Sequence, residues 1–335
     1  MQTLDTFNRP LRDLRISVTD RCNFRCTYCM PKEIFGPDYT YLKKDEVVSF
    51  EDIARLARVF VDLGVNKLRL TGGEPLMRRD IENLIDMLAN IPGVDDLALT
   101  TNGSFSPKRV RSLKDAGLRR MTVSLDALDD PTFKVMNDVD FPVEKVLEWI
   151  DASAELDFQP VKVNMVVKRG VNEHSILPMA RYFKERGHIL RLIEYMDVGN
   201  SNGWRLDDVV SAKEMVEHVN TELPLEASDP NYQGEVARRY RYKDGSGELG
   251  IIASVTQAFC VDCTRIRLSA DGKLYTCLFA TKGHDLRALL QDGANDDEMR
   301  QAIQTIWTQR NDRYSEIRAE NTSEKPKIEM SFIGG

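Results

Sequence analysis

The stretch that most restricts what this chain can fold into is RCNFRCTYCMP, which carries Cys22, Cys26 and Cys29 in the spacing Cys-x3-Cys-x2-Cys. Thiolates are soft ligands that hold iron–sulfur clusters, and such clusters usually take four of them. Only three stand in this stretch. A four-iron cluster held by three cysteines leaves one iron open to another ligand, as a catalytic metal site does. The stretch therefore predicts a 4Fe-4S cluster with one free iron, around which the rest of the chain is organised.

Two other interpretations of these cysteines remain open at this point. They would form a zinc knuckle, or they would be three buried thiols with no shared role. No histidine follows at the spacing of a zinc ligand, which favours the cluster. Other motifs further along the chain also favour it.

Length and composition indicate an ordinary globular enzyme. At 335 residues, 42% hydrophobic and 30% charged, the chain can bury a large core as one large domain with an appendage, or as two domains. No apolar run reaches the ~18 residues of a membrane span, and no signal-peptide core stands at the N-terminus, so a cytoplasmic protein without membrane contact is expected. The net charge of −7 argues against a protein that coats nucleic acid.

The six cysteines fall into two groups, at 22 to 29 and at 260 to 277, with none between. Six cysteines could form three disulfides. In a reducing compartment, however, such clustering is typical of metal binding.

Strand-like runs alternate with amphipathic helical stretches over the first two thirds of the chain. We predict helices near 45 to 63, 79 to 90, 106 to 116, 143 to 156 and 174 to 186. We predict strands at Arg15 to Asp20, Lys67 to Thr71, Asp96 to Thr101, Arg120 to Leu125, Pro160 to Val167 and Ile189 to Met196. Repeated strand–helix units imply a curled parallel sheet, and six units are fewer than the eight of a closed barrel.

The predicted fold is therefore α/β, a partial (β/α)6 TIM-like barrel. Connector-like segments at 200 to 203 and 223 to 234 place a domain boundary near residue 220. Residues 1–220 would form the barrel. Residues 221–335 would form a C-terminal domain that closes its open side.

Side chains on a strand alternate between its two faces, so polar and apolar residues can be sorted. One face of each of the first five predicted strands is polar. These faces carry Arg15, Ser17 and Thr19 in the first strand, Lys67, Arg69 and Thr71 in the second, Thr100 and Asn102 in the third, Thr122, Ser124 and Asp126 in the fourth, and Lys162 and Asn164 in the fifth. The apolar faces should take the helices, so the polar faces would meet in a wide, cationic lumen. A half-exposed sheet with its polar side in solvent is the alternative.

Loops at the carboxyl ends of parallel strands usually build the active site. The cysteine trio follows the first predicted strand, and the sequence TGGEP at 71 to 75 ends the second. Paired glycines let a backbone approach a ligand closely, although Gly-Gly-Glu-Pro alone is a common turn. Its position after a strand favours a ligand site.

A second trio, Cys260, Cys263 and Cys277, has the spacing Cys-x2-Cys-x13-Cys. It predicts a second cluster with one iron to spare, while zinc with His284 as fourth ligand remains open. Arg265 and Arg267 lie two apart on a predicted strand and so point the same way. Paired guanidiniums suit a polyphosphate, since each donates two hydrogen bonds to phosphate oxygens. A solvated charged face is the alternative.

The first cysteine motif, with an aromatic residue before its third cysteine, resembles the radical S-adenosylmethionine (SAM) superfamily. With the second trio, the run CTRIR and the terminal Gly334 and Gly335, nearly the whole chain resembles the GTP 3′,8-cyclase family of molybdenum-cofactor biosynthesis. The resemblance implies a lyase that uses SAM and two 4Fe-4S clusters. Hydrogen would be abstracted from the ribose C3′ of GTP, and the carbon radical would attack guanine C8.

The resemblance also implies roles for single residues. The first cluster would cleave SAM, and the second would bind the guanine of GTP. SAM would contact Tyr28, Gly73, Ser124 and Met196. GTP would contact Arg15, Arg69, Thr100, Lys162, Arg265 and Arg267. Catalytic roles fall to Arg15, Arg265, Arg267 and the Gly334–Gly335 tail, which would enter the active site although chain ends usually fray.

The expected partners are GTP, an electron donor such as flavodoxin or ferredoxin, the downstream cyclic pyranopterin monophosphate synthase and a second copy of the chain. Two rival functions remain. One is a radical peptide-maturing enzyme with an auxiliary-cluster domain, although such enzymes usually carry more cysteines after the barrel. The other is a zinc-stabilised module that binds nucleic acid through its arginines.

Overall fold

Six parallel strands form the centre of the molecule. The computed structural model describes residues 2–158, 160–318 and 326–335. The central strands are β1 (Asp13–Ser17), β2 (Lys67–Thr71), β3 (Asp96–Thr101), β4 (Arg120–Ser124), β5 (Lys162–Val167) and β6 (Ile189–Glu194). Each pairs in parallel with the next. This is the arrangement that the repeated strand–helix units predict.

Helices connect the strands and cover the outer face of the sheet. They are α1 (Phe50–Asp62), α2 (Ile81–Ala89), α3 (Arg109–Asp115), α4 (Asp130–Asn137), α5 (Val143–Glu155) and α6 (Ile176–Glu185). Short 3-10 turns lie at Lys44–Glu46, Pro75–Met77, Glu173–Ser175 and Leu206–Asp208. Apolar strand residues such as Leu14, Ile16 and Leu68 are fully buried in the core beneath these helices. The apolar strand faces therefore take the helices, as expected.

The second part of the chain adds strands to both edges of this sheet. Its strands are β7 (Leu225–Ser228), β8 (Arg238–Tyr242), β9 (Glu248–Ile252), β10 (Arg265–Leu268), β11 (Lys273–Tyr275) and β12 (His284–Asp285). The sheet order is β12-β11-β10-β1-β2-β3-β4-β5-β6-β9-β8-β7. Strand β10 pairs in parallel with β1, and β9 pairs in parallel with β6. The sheet does not close, so the predicted partial barrel is confirmed.

The remaining helices pack around the second part of the chain. They are α7 (Ala212–Asn220), α8 (Leu286–Gln291), α9 (Asp296–Thr308), α10 (Tyr314–Ile317) and α11 (Met330–Ile333). Helix α9 lies against α1, where Arg55 Nε pairs with Asp296 at 2.7 Å. Trp307 of α9 is fully buried and donates from Nε1 to the carbonyl of Arg9 at 3.1 Å. The C-terminal region is thus joined to the beginning of the chain.

The structure differs from the predicted elements at several strand ends and in one helix. Strand β4 ends at Ser124 rather than Leu125, and β5 begins at Lys162 rather than Pro160. Strand β1 begins two residues earlier than predicted and ends at Ser17, and β6 ends at Glu194. Helix α4 was not predicted. Its start is set by Asp129, whose side chain accepts from Thr132 N–H at 2.9 Å, with Pro131 in the first turn. Across the described ranges, no helix is both long and apolar enough to cross a membrane.

Candidate active site

A cavity of about 270 Å³ lies within the curled sheet and extends along its strands to the loops at their carboxyl ends. The first cysteine trio lines it, and so do glycines 72 and 73 of the loop after β2. Six guanidinium groups also line it, from Arg15, Arg69, Arg120, Arg191, Arg265 and Arg267. The polar strand faces therefore enclose a cationic lumen rather than facing solvent.

The loop after β1 presents Cys22, Cys26 and Cys29 to this lumen as free thiols. Its turn is set by Cys29 N–H, which donates to the carbonyl of Cys26 at 2.9 Å. Phe24 N–H points at the Cys22 sulfur at 3.4 Å. Burial raises the pKa of Cys22 to about 12 and also raises the pKa of Cys26 and Cys29. Such thiols stay neutral unless metal ions bind them, because a coordinating thiol is deprotonated.

The donor set fits an iron–sulfur cluster. Over the described parts of the chain, no three His, Cys, Asp or Glu side chains are arranged to hold a metal ion. An iron–sulfur cluster spreads its cysteines over separate irons, so its thiols need not converge on one point. His284, the conceivable zinc ligand, lies exposed on β12.

The Gly72-Gly73 turn packs directly on the backbone of the cysteine loop. Gly73 N–H donates to the carbonyl of Thr19 at 2.8 Å, and Glu74 N–H donates to that of Arg21 at 2.8 Å. A Cβ atom on Gly73 would stand 2.3 Å from the Arg21 carbonyl oxygen. Only glycine permits this approach. The turn therefore holds the cysteine loop in place and exposes its own backbone to the lumen.

A buried carboxylate ties the loops after β2 and β3 together. Glu74 accepts hydrogen bonds from Thr101 Oγ1 at 2.8 Å and from Asn102 N–H at 2.7 Å. Asn102 Nδ2 in turn donates to Asn23 Oδ1 at 2.9 Å, inside the cysteine loop. Burial raises the pKa of Glu74 to about 7. Three strand-end loops are thus bound into one support for the trio.

Tyr28 is held by Asp126, the residue that follows β4 by two positions. Its hydroxyl donates to Asp126 Oδ2 at 2.9 Å, and Val166 N–H donates to Asp126 Oδ1 at 2.8 Å. Burial raises the pKa of Asp126 to about 7. Ser124 and Met196 also line the cavity. All four residues expected to contact SAM, Tyr28, Gly73, Ser124 and Met196, therefore face the same lumen.

The arginines of the lumen wall lie close enough to depress one another's pKa. Burial and then Arg267 lower the pKa of Arg15, while burial and then Arg265 lower that of Arg267 to about 9. Arg69 donates from Nη1 to Thr100 Oγ1 at 3.0 Å and to Thr122 Oγ1 at 3.1 Å. A polyanion in the lumen would relieve this repulsion, which makes the wall suited to a triphosphate.

The residues predicted to contact the nucleotide are not the same set as the residues that line the cavity. Lys162 is not among the lining residues, although Arg69, Arg120 and Arg191 all act on it electrostatically. Arg120 and Arg191 line the cavity and were not predicted. Arg120 lies two residues before Thr122 on β4 and so shares its face of the strand. Arg191 is the third residue of β6. Strand alternation extended to these positions would have found both.

The second trio lies next to residues that line the lumen. Cys260, Cys263 and Cys277 are free thiols that do not themselves line the cavity, whereas their neighbours Phe259 and Leu278 do. Arg265 bridges the two regions, since it lines the cavity and its Nη2 lies 3.4 Å from the Cys263 sulfur. Although burial opposes it, the charges of Arg265 and Arg310 lower the pKa of Cys263 to about 6.

The C-terminal tail enters the lumen. The carbonyl of Gly334 accepts a hydrogen bond from Arg267 Nη1, and Gly335 lines the cavity. Gly334 has φ +78°, and a Cβ atom there would stand 2.0 Å from Thr71 Oγ1. Glycine is thus required for both the backbone conformation and the space. Gly334 is buried and Gly335 is exposed at the cavity wall, so the tail ends at the site.

Two family models divide the chain between them. The model described as Radical SAM superfamily matches residues 16–183, and the model described as Molybdenum Cofactor Synthesis C matches residues 188–316. The crystal structure of Streptococcus suis SuiB bound to S-adenosylmethionine superposes with a TM-score of 0.63 over 89% of this chain and 69% of SuiB. At 15% identity that likeness shows the fold alone. The fold and the cysteine loop thus define a radical SAM enzyme.

Comparison with curated relatives shows which family of radical SAM enzymes the chain belongs to. A GTP 3′,8-cyclase of Acidothermus cellulolyticus is 51% identical to this chain, and the match covers 99% of this chain and 98% of that relative. One of Staphylococcus carnosus is 50% identical, covering 100% of this chain and 99% of its own. The chain belongs to the GTP 3′,8-cyclase family, whose members use SAM and two 4Fe-4S clusters.

Proposed function

We propose that this enzyme converts GTP to 3′,8-cyclo-7,8-dihydro-GTP, the first step of molybdopterin biosynthesis. The observation that carries the proposal is the shared lumen, where the first cysteine trio, six guanidinium groups and the glycine tail meet. A nucleoside triphosphate suits these groups, because its phosphates can accept hydrogen bonds from several guanidinium groups at once. The curated relatives carry the same activity in their names.

Cys22, Cys26 and Cys29 would hold the first cluster. When bound, this cluster and SAM supply a one-electron cleavage that yields methionine and a 5′-deoxyadenosyl radical. Gly73 would contact the methionine amino group of SAM through its backbone, Ser124 the ribose or methionine moiety, and Met196 the adenine through its backbone; all three residues line the cavity. Tyr28 is kept in place by its hydrogen bond to Asp126 at 2.9 Å. These residues would orient bound SAM within the lumen.

The nucleotide would be held at both ends. Cys260, Cys263 and Cys277 would carry the second cluster, whose open iron takes the guanine. Arg15, Arg69, Thr100, Lys162, Arg265 and Arg267 would contact the nucleotide, mostly its triphosphate. A carbon radical quenches on any nearby hydrogen, so the target C3′ hydrogen must be fixed and solvent excluded. Anchoring base and phosphates leaves the ribose little freedom between them.

The reaction also implies partners. We expect an electron donor such as flavodoxin or ferredoxin, delivery of the product to cyclic pyranopterin monophosphate synthase, a cytoplasmic location and a homodimer.

The decisive experiment is anaerobic incubation with reductant, SAM and each of the four ribonucleoside triphosphates in turn. The proposal predicts 5′-deoxyadenosine and a cyclised nucleotide with GTP alone. Equal 5′-deoxyadenosine with all four, or none with GTP, would overturn it. Metal analysis of the same protein should find iron for two four-iron clusters, and zinc with little iron would favour a binding module.

The tail gives a second test. Deleting Gly334 and Gly335 removes the partner of Arg267 but no cysteine, so cyclisation should be lost while iron content stays unchanged. Undiminished turnover by the shortened chain would show that the tail has no part in the reaction.

A further inference from the structure

The last described residues of the chain bind the loop that follows β6. Lys327 N–H donates to Asn200 Oδ1 at 2.9 Å, and Asn200 N–H donates to Glu329 Oε1 at 3.0 Å. Ser201 Oγ donates to the other oxygen of Glu329 at 2.8 Å. The two segments are more than a hundred residues apart in sequence, so these bonds are specific tertiary contacts.

Asp197 reinforces this contact at the start of the same loop. Lys327 Nζ donates to its carboxylate at 2.7 Å and to its carbonyl at 2.7 Å. Arg318 Nε lies 3.0 Å from the same carboxylate, and Tyr314 donates its hydroxyl to it. The side chain of Asp197 is only 12% exposed, so the ion pairs are poorly screened by solvent.

The contact also reaches the second cysteine trio. Ile328 N–H donates to the carbonyl of Ala280 at 3.0 Å. The ring of Phe279 stacks on Tyr314 with centroids 4.4 Å apart, and Phe279 N–H points at the Cys277 sulfur at 3.5 Å. The segment beside Cys277 and the tail are therefore held against each other.

The distance along the chain from Glu329 to the lumen is short. Helix α11 spans Met330–Ile333 and is followed at once by Gly334, whose carbonyl meets Arg267. A helix of this length rises only about 6 Å, so the position of Glu329 limits where the two glycines can lie.

We propose that Asp197 and Glu329 are positioning residues that seat the glycine tail in the lumen. We call Asp197, Asn200, Ser201, Lys327 and Glu329 the tail latch. The latch acts through the tail and touches no reacting atom. Because its loop begins directly after Met196, it also ties the tail to the predicted adenine contact. The catalytic consequence rests on the proposed function, whereas the seating of the tail does not.

The chain offers a matched pair of substitutions for testing the latch. Gly199 and Gly203 lie in one loop with nearly equal φ, +64° and +62°. A Cβ atom on Gly199 would stand 2.1 Å from Glu329 Oε2, whereas one on Gly203 would meet nothing within 4 Å. Both alanine variants carry the same backbone strain, and only Gly199→Ala displaces Glu329. The clash is with the end of a flexible side chain, so the fold should tolerate it.

Hydrogen–deuterium exchange of the complete, cluster-loaded protein measures directly how firmly the tail is held in the lumen. We expect the amides of residues 327–333 to exchange about tenfold faster in Gly199→Ala than in Gly203→Ala, since a carboxylate's hydrogen bonds are lost. Exchange in β1 to β6 should be equal in the two variants. Equal exchange of the tail in both would overturn the proposal.

A second pair of substitutions tests the latch without adding backbone strain. Glu329→Ala removes the acceptor of the Asn200 and Ser201 hydrogen bonds, and Glu316→Ala, at an exposed position of α10, is its control. Faster tail exchange in Glu329→Ala alone supports the latch, and equal exchange contradicts it.

Activity measurements then separate the latch from the proposed function. If the latch acts as proposed, Gly199→Ala yields several-fold less cyclised nucleotide per 5′-deoxyadenosine than Gly203→Ala at equal iron content. An equal ratio would overturn the catalytic role of the latch. Failure of the unaltered enzyme to act on GTP would refute the proposed function, while the exchange comparison would still decide how the tail is seated.

Discussion

Burial sets the charge state of the basic side chains around the lumen. Arg267, with a pKa lowered to about 9, and Arg191, with one lowered to about 10, both remain charged at neutral pH. Lys162 differs, because burial and then Arg191, Arg120 and Arg69 lower its pKa to about 7. About half of the molecules thus carry a neutral Lys162 at neutral pH. This lysine can take up a proton when an anion arrives.

This behaviour predicts a pH-dependent affinity for GTP. Below a pH of about 7 Lys162 is already charged and binding takes up no proton there. Above it, a bound triphosphate raises the pKa of the lysine, so binding takes up a proton and the affinity falls as pH rises, by at most about tenfold per pH unit. Calorimetry at about pH 8 in two buffers of different ionisation enthalpy would measure that proton.

The control for this prediction is Lys162→Arg. Arginine stays charged throughout this range, so the variant should lose the proton uptake while keeping the affinity. The same proton uptake in Lys162→Arg as in the unaltered enzyme would show that another group is responsible.

At the scale of elements, helix α9 holds the C-terminal region against the barrel. Its salt bridges reach α1, with Arg55 to Asp296 at 2.7 Å and Arg300 to Asp62 at 2.9 Å. The helix begins at a capping box in which Asn295 Oδ1 accepts from Glu298 N–H at 3.0 Å. Exposed ion pairs contribute little, so the cap and buried Trp307 matter more.

We therefore predict that Asn295→Ala lowers the free energy of unfolding by about 1 kcal/mol. The reason is that two backbone N–H groups of the first turn lose their acceptor. Chemical denaturation monitored by circular dichroism is the measurement. Lys108→Ala serves as control, since Lys108 precedes α3 without a side-chain capping bond. An equal effect of both substitutions would contradict the assigned role of the cap.

Local patterns predicted most of the barrel elements and missed one. The bounds of β2 and β3 are those predicted, because Lys67 to Thr71 and Asp96 to Thr101 alternate cleanly between turn signals. Helix α4 was not predicted because it is short and follows β4 closely, although Asp129 and Pro131 mark its start. The parallel pairing of β10 with β1 could not be predicted, since nothing local to Arg265–Leu268 identifies a partner some 250 residues away.

The candidate site was predictable where side chains alternate on strands and where cysteines cluster. Arg15, Arg69 and Thr100 were found in this way, and they line the cavity. Which residues of a polar strand face reach the cavity wall depends on how the sheet curls, which the local sequence does not determine; Asn164 of β5 lines the cavity, whereas Lys162 lies near the lining arginines. Glu74 and Asn102 support the cysteine loop through tertiary hydrogen bonds that no spacing encodes.

At the scale of the whole molecule, one continuous sheet joins the two parts of the chain. Residues Leu14 and Ile16 of β1 pair with Ile266 and Leu268 of β10, and Leu192 of β6 pairs with Ile251 of β9. The central six strands therefore have both edges covered by strands from beyond residue 220. The boundary near residue 220 stays a prediction.

We predict that a chain ending at residue 220 will not form a stable monomer. It would expose both edges of an apolar sheet, and such edges pair with other chains. Size-exclusion chromatography and thermal unfolding, with the complete chain as control, would test this. A monomeric fragment that unfolds cooperatively would instead establish residues 1–220 as an independent domain.

The pairing of β1 with β10 also bears on the order of events during translation. A ribosome releases β1 among the first residues, yet its outer neighbour emerges only when most of the chain has been made. Until then one edge of β1, the strand directly ahead of the cysteine loop, has no partner, although β2 can already pair with its other edge. A chaperone that shields this edge until β10 is made would keep the nascent chain from pairing with other chains.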